Sequence, residues 1–232
     1  MTSSARIGMA PIVLDRVSVE LDGRAVLRDV SVELAAPRIA VIGANGSGKS
    51  TFARLLNGLI APHSGAVSVQ GLDTVRERAA VRRLVGFVFT NPDAQILMPT
   101  PAEDLALSLR GLPKAEVSAR VRETLETHGL AEHAEVPASS LSGGQKQMLA
   151  LASVLIAGPR VIVADEPTTL LDLRNARRIG DLLLAQQAQV VVVTHDLELA
   201  GRCDTVLYFA DGRLVASGAP ASVIEAYRRA CA

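Results

Sequence analysis

Arg38-Ile-Ala-Val-Ile42 runs directly into Gly43-Ala-Asn-Gly-Ser-Gly48-Lys49-Ser50-Thr51. The first segment is a continuous apolar run ending at a glycine, the pattern of a strand covered on both faces. The second fits G-x-x-x-x-G-K-[S/T], and Ser50 to Leu59 then has helical periodicity. Strand, glycine-rich turn and helix in that order predict a phosphate cradle. Glycines let the backbone fold into a nest of N–H groups, and the helix N-terminus adds the positive end of its dipole. Lys49 is long enough to reach two phosphates in a row, and the Ser50 hydroxyl is a hard oxygen donor suited to Mg2+.

Upstream of this stretch the chain reads as β-rich. Val17-Ser-Val-Glu-Leu21 and the segment from Arg24 alternate apolar and polar residues around an Asp22-Gly23 turn, and Val30 to Leu34 and Val67 to Gln70 alternate likewise. From about residue 90 to 157 the pattern is helical. Glu103 to Leu109, Lys114 to His128 and Gln145 to Ala157 are predicted helices separated by proline and glycine. Strand–helix alternation then returns. Val161 to Ala164 and Val190 to Val193 are buried strands, and Leu173 to Gln187 is a helix. Asp196 caps a short helix to Arg202, Asp211-Gly212 turns a second hairpin, and Ala221 to Arg229 is a helical tail.

Three further segments carry chemistry. Asp165-Glu166 ends a buried strand, the edge at which ligands bind in open α/β sheets. Asp165 suits Mg2+, and Glu166 suits orienting or deprotonating an attacking water. His195 ends the next buried strand, where a lone histidine serves either as a solvated cap or as a group aimed at a phosphate. Leu141-Ser-Gly-Gly-Gln145 precedes a helix and offers a second backbone nest; equally it reads as an N-cap with a glycine hinge.

Composition sets outer limits. With 232 residues there is room for one large domain, and 49% hydrophobic against 21% charged residues is a folding composition. Lysine plus arginine equal aspartate plus glutamate at 24 each, and aromatics are 3% with no tryptophan, which argues against a nucleic-acid partner. Arg76, Arg78, Arg82 and Arg83 therefore read as a solvated helix face. Cys203 and Cys231 have no metal-ligand spacing and indicate a reducing compartment. Met1 to Ala10 shows no export signal, and the longest apolar stretches, such as Met148 to Ala157, are too short to span a bilayer. A membrane role is expected to come only through a partner.

The succession of phosphate loop, LSGGQ, acidic pair and histidine, with Thr168-Thr-Leu-Leu-Asp172 in the D-loop position, resembles the ATP-binding subunits of ATP-binding-cassette (ABC) transporters over about residues 12 to 220. The resemblance implies an α/β fold: a P-loop NTPase core of mixed β-sheet flanked by helices, with an antiparallel β subdomain and an inserted helical subdomain. The whole chain would be one ATPase domain, with residues 1–89 and 158–232 as core and about 90–157 as helical subdomain. It implies ATP and Mg2+ as the bound species. Gly43, Asn45, Gly46, Ser47, Gly48, Lys49, Ser50 and Thr51 would cradle the nucleotide. Two copies would pair head to tail, so that Ser142, Gly143, Gly144, Gln145 and Asp172 of one complete the site of the other. Ser50 and Asp165 would hold Mg2+, and Glu166, His195 and Lys49 would be catalytic.

Three positions depart from the family pattern. Thr90 stands where a glutamine usually ends a strand, and reaches Mg2+ only through its hydroxyl or a water. Leu21 or Val26 replaces the aromatic expected to stack on adenine, which predicts weak discrimination between ATP and GTP. Met148 replaces an arginine after the signature.

Asn91-Pro-Asp-Ala-Gln95-Ile-Leu-Met-Pro99 resembles the second-glutamine segment of energy-coupling-factor (ECF) importers of vitamins and metals, and the wording of the chain is most similar to the ATPase of biotin importers. Cobalt, nickel or another vitamin is the alternative cargo. The implied partners are a transmembrane coupling protein, a small substrate-binding membrane protein and a second ATPase copy, at the cytoplasmic face of a bacterial inner membrane. Ile96, Leu97 and Met98 are then either an exposed docking patch or part of the helical core. A non-transport role in repair or translation would call for a coiled-coil insertion or tandem cassettes, neither of which the sequence has. A module that binds ATP without turnover would not need both Glu166 and His195.

Overall fold

The computed structural model describes residues 10–231; Met1 to Met9, in the stretch expected to lack an export signal, and Ala232 lie outside the described residues. The chain divides into two compact units. One comprises residues up to Val85 with those from Val191 onward, the other Gly86–Val190.

The first unit opens with β1 (Ile12–Leu21) and β2 (Arg24–Leu34), antiparallel and joined at Asp22-Gly23. Both turn residues have positive φ, 50° and 73°, the geometry that matches the twist of a two-residue hairpin. Ile12, Leu14, Val17 and Val19 are buried along one face, with register shifts between Leu14 and Val19 that keep the apolar set inward. Next come β3 (Arg38–Ile42), α1 (Lys49–Leu56), β4 (Ser64–Val69), β5 (Leu72–Asp73) and α2 (Arg78–Leu84). The sheet order is β2-β1-β4-β5, an antiparallel layer. Helix α1 ends earlier than the predicted Leu59 because Gly58, with φ 66°, turns the chain away. On α2 only Val81 is buried; Arg82 reaches the Gly58 carbonyl, and the remaining arginines form the exposed face expected of them.

The second unit begins with β6 (Val85–Val88), whose first residue lies in the first unit, and a 3-10 turn at Pro92–Ala94. Then follow α3 (Pro101–Leu107), α4 (Lys114–His128), α5 (Gly143–Leu155), β7 (Val161–Asp165), α6 (Leu173–Leu184) and β8 (Gln189–Val193). Helices α3 and α5 each start two residues before the predicted position, because Thr100 and Ser142 cap them from just upstream. Helix α6 stops at Leu184 instead of Gln187. Strands β7 and β8 are buried along their whole length, as continuous apolar runs should be. Within this unit β8, β7 and β6 are successive neighbours.

Strand β8 ends in the first unit, where α7 (Leu197–Gly201), β9 (Thr205–Ala210), β10 (Arg213–Gly218) and α8 (Pro220–Cys231) complete the chain. There the order is β10-β9-β3-β8, with β3 and β9 parallel and β9 and β10 an antiparallel hairpin. Parallel and antiparallel pairs together make the sheet mixed. Phe52 of α1 is fully buried against Phe209 of β9, ring centroids 5.2 Å apart. No helix among the described residues is long and apolar enough to cross a membrane.

Burial pushes the Cys203 thiol up to about 12, whereas Cys231 is exposed. A thiol reagent at neutral pH is therefore expected to read one cysteine in the native protein and two after unfolding; rapid reaction of both in the native protein would contradict the buried placement of Cys203.

Candidate functional site

In the first unit the cradle is built at the exit of β3. Gly43 has φ 147°, and a Cβ there would lie 2.1 Å from the Phe209 carbonyl oxygen, so no side chain fits. Gly48 caps α1 in the left-handed region, φ 99°, with space closed by the Leu27 side chain and the Val26 carbonyl. Between them Ser47 N donates to Ala44 O at 3.2 Å, closing the turn. Lys49 is only 6% exposed. Its Nζ donates to Gly43 O at 2.7 Å and Ala44 O at 2.9 Å, which bends the ammonium back over the turn. The Ser47 hydroxyl is buried and lacks a hydrogen-bond partner. A buried cation, an orphaned hydroxyl and the N-terminus of α1 in one turn suit a phosphate anion.

Ser50 is half-buried and Thr51 buried in the first turn of α1; Asn45 and Gly46 are exposed at the tip of the loop. His195 follows β8 and is also exposed. Thr194 N donates to Val41 O at 3.0 Å, which sets this strand end beside β3 just before the cradle. Asp196 caps α7 as predicted, accepting from Glu198 N and Leu199 N. Leu21 is 39% exposed and Val26 half-buried, so either could meet a base only as an apolar surface.

The second unit carries the acids. Asp165 ends β7 at 2% exposure. Glu166 follows with φ 52°, in the left-handed region for a residue that is not glycine, a conformation costing about 1 kcal/mol or more. Its carboxylate accepts from Thr169 Oγ1 at 3.3 Å. Thr90 Oγ1 donates to the backbone carbonyl of Asp165 at 2.8 Å, so the hydroxyl proton is spent on the end of β7 and only its lone pairs remain for a metal. Among the described residues no cluster of three or more His, Cys, Asp or Glu forms a metal cage.

Ser142 and Gln145 form a reciprocal cap on α5. Ser142 Oγ accepts from Gln145 N at 3.3 Å, and Gln145 Oε1 accepts from Ser142 N at 2.8 Å. The N-cap reading is thus realised; Gly143 has open space around it, and Gly144 does not. A Cβ on Gly144 would lie 2.8 Å from Asn175 Nδ2 of α6. Asp172 caps α6 through Asn175, accepting from its backbone N and its side-chain amide at 2.8 Å each, and these bonds hold the carboxyl below the usual carboxylate range. The signature turn and the D-loop cap thus meet at one asparagine, which the sequence reading missed although the Asp-x-x-Asn spacing before a helix signals a cap. Beside them Leu170 and Leu173 are 100% and 66% exposed.

The Asn91 to Met98 segment is bolted to α5. Asn91 Oδ1 accepts from Asp93 N, capping the 3-10 turn. Asp93 pairs with Lys146 Nζ at 2.7 Å. Gln95 accepts from Phe89 N at 3.0 Å and donates to Ala150 O at 2.7 Å. Buried Asp104 accepts from Leu97 N, Met98 N and Ser153 Oγ. Of the three apolar residues Ile96 and Met98 are half-buried and Leu97 is 72% exposed, so the segment is neither wholly surface nor wholly core.

Comparison with known proteins agrees with this geometry. The sequence profile described as "ABC transporter" matches residues 27–169. An ABC transporter ATP-binding protein of Deinococcus radiodurans is 51% identical over 219 residues, covering 94% of this chain and 97% of its own. A biotin transport ATP-binding protein, BioM, of Rhizobium etli is 42% identical and covers 95% and 99%. Among solved structures, cbiO1 of Clostridium perfringens, part of the ABC transporter complex cbiONQ, superposes with a TM-score of 0.82 at 29% identity, covering 92% of this chain and 90% of its own. With the profile spanning more than half of the sequence and relatives matched nearly end to end, this chain belongs to the ABC transporter family, as an ATP-binding and ATP-hydrolysing domain.

Proposed function

We propose that this chain is the ATPase of an ECF importer and that the imported vitamin is biotin. The observation that carries the ECF reading is the Asn91 to Met98 segment, held rigidly to α5 while its Leu97 side chain faces outward. A cavity of about 350 Å3 lies against it, lined by Ile96, Met98, Pro99 and Pro137 together with Asp93 and Ser139, a mixed apolar and polar recess that a membrane partner could enter. The 42% identity to a biotin transport ATP-binding protein supports the cargo. The subunit would act from the cytoplasmic face of a bacterial inner membrane, bound to a transmembrane coupling protein and a small substrate-binding membrane protein.

In this reading Gly43 to Thr51 hold the ATP phosphates, with Lys49 neutralising charge on the β- and γ-groups. Glu166 orients the attacking water and takes its proton while the bond from the γ-phosphorus to the bridging oxygen breaks. His195 donates a hydrogen bond to the γ-phosphate. The Ser50 hydroxyl and the Asp165 carboxylate are hard oxygen donors that fit Mg2+, with Thr90 contributing at most a lone pair; bound there, Mg2+ would neutralise phosphate charge. Ser142, Gly143, Gly144, Gln145 and Asp172 serve the nucleotide held by a second copy. Because only the triphosphate joins both chains, hydrolysis removes the preference for the closed dimer, and that cycle drives the membrane partner.

Co-expression with the two membrane components and an ATP-dependent uptake assay tests the proposal. Labelled biotin should accumulate; uptake of cobalt or nickel in its place would overturn the cargo. Leu97→Asp should abolish co-purification with the coupling protein, since it would bury a charge in an apolar contact. Undiminished co-purification of that variant would remove this segment from the interface.

A further inference from the structure

We infer that His133 is a positioning residue for the signature turn, acting through Gln145. The Gln145 amide has one defined orientation. Its Oε1 accepts from Ser142 N at 2.8 Å, and since a backbone N–H only donates, this fixes which end of the amide is oxygen. The Nε2 end therefore faces His133 Nε2, 2.7 Å away. An amide nitrogen only donates, so His133 Nε2 carries a lone pair and the ring proton sits on Nδ1. The histidine is half-buried in the 3-10 turn Ala131–His133, twelve residues before Gln145, where no local motif would pair the two.

This geometry orders the signature turn from below. If the His133 acceptor is lost, the Gln145 amide is free to rotate, Ser142 N loses its partner, and the reciprocal cap opens. The cap holds Ser142 to Gln145 as the first turn of α5, whose remaining N–H groups supply the nest. The Oε1 of Gln145 is used inside the turn and one amide hydrogen on His133 outside it, so Gln145 shapes the nest more than it contacts a ligand. His133 touches no expected nucleotide position; its effect reaches a γ-phosphate only where the turn meets the nucleotide of a second copy. The functional part of the inference rests on the head-to-tail reading proposed above.

The test uses the full chain carrying Glu166→Gln, in which ATP is not consumed. Dimer formation is followed by size-exclusion chromatography with light scattering across an ATP titration with Mg2+, and ATP binding to the monomer is measured separately at low protein concentration. His133→Leu should raise the ATP concentration for half-dimerisation about five- to tenfold, the loss of one or two hydrogen bonds, and leave monomer binding unchanged. His133→Gln, whose Oε1 replaces the Nε2 acceptor, should recover most of the difference, which a general packing role would not do. Nitrogen-15 NMR of His133 in the parent should show the Nδ1–H tautomer. Equal dimerisation of His133→Leu and its parent, failure of His133→Gln to recover, or the Nε2–H tautomer would overturn the inference. A parent that never dimerises with ATP would instead overturn the head-to-tail reading, and the functional part of this inference with it, the tautomer still testing the structural part.

Discussion

The Glu166→Gln protein should bind ATP, hold it between two copies, and release phosphate about 10²–10³-fold more slowly than the unaltered chain, the range seen when one transition-state contact is removed. Glutamine is close in size to glutamate and keeps an oxygen that can accept from Thr169 Oγ1, which lies 3.3 Å from the present carboxylate. It cannot take a proton from water at neutral pH. The backbone at this position is already held at φ 52° between buried Asp165 and Pro167, which sets the direction in which the side chain leaves the chain. Shape and nucleotide contacts should survive while the proton acceptor is lost. A malachite-green phosphate assay reads the rate, and size-exclusion chromatography with ATP reads the trapped dimer. Turnover within a few-fold of the parent would show that another group removes the proton.

Lys49→Ala should fail earlier, at binding. The ammonium is buried and held by the Gly43 and Ala44 carbonyls, so it stabilises the loop in the free protein, and under the proposed function it would meet phosphate in the bound one. Removing it takes away a charge-assisted contact and leaves two carbonyls short of a donor, which should weaken ATP binding about a hundredfold or more. Lys49→Arg should restore little, because a planar fork does not fit where a compact ammonium sits between two backbone oxygens. Isothermal titration with ATP and Mg2+ decides the matter. An affinity close to that of the parent in Lys49→Ala would place the phosphates elsewhere.

What the sequence made legible was whatever depends on neighbours along the chain. The buried strand before Gly43, the two Asp-Gly hairpins and the cap at Asp196 all rest on contacts within a few residues, and the structure has each of them. Element ends were harder, since Thr100 and Ser142 draw α3 and α5 two residues upstream by side-chain bonds that periodicity does not report. Least legible were ties that span long separations. Thr90 could be named as a departure from the family pattern, but its bond to the Asp165 carbonyl crosses 75 positions, and no local signal predicts it. The Gln145 side chain belonged to a motif, whereas its partner His133 belonged to none.

The bolts between the Asn91 to Met98 segment and helix α5 have a mechanical consequence. Asp93 grips Lys146 in the first turn of α5, Gln95 grips Ala150 a turn later, and Asp104 links Leu97 and Met98 to Ser153. A load applied at the protruding Leu97 has three rigid struts into one helix and little slack through which to dissipate. The LSGGQ turn is the N-terminal end of that same rod, so under the proposed function the tip that would meet an outside body and the tip that would meet a nucleotide are expected to tilt as a single lever.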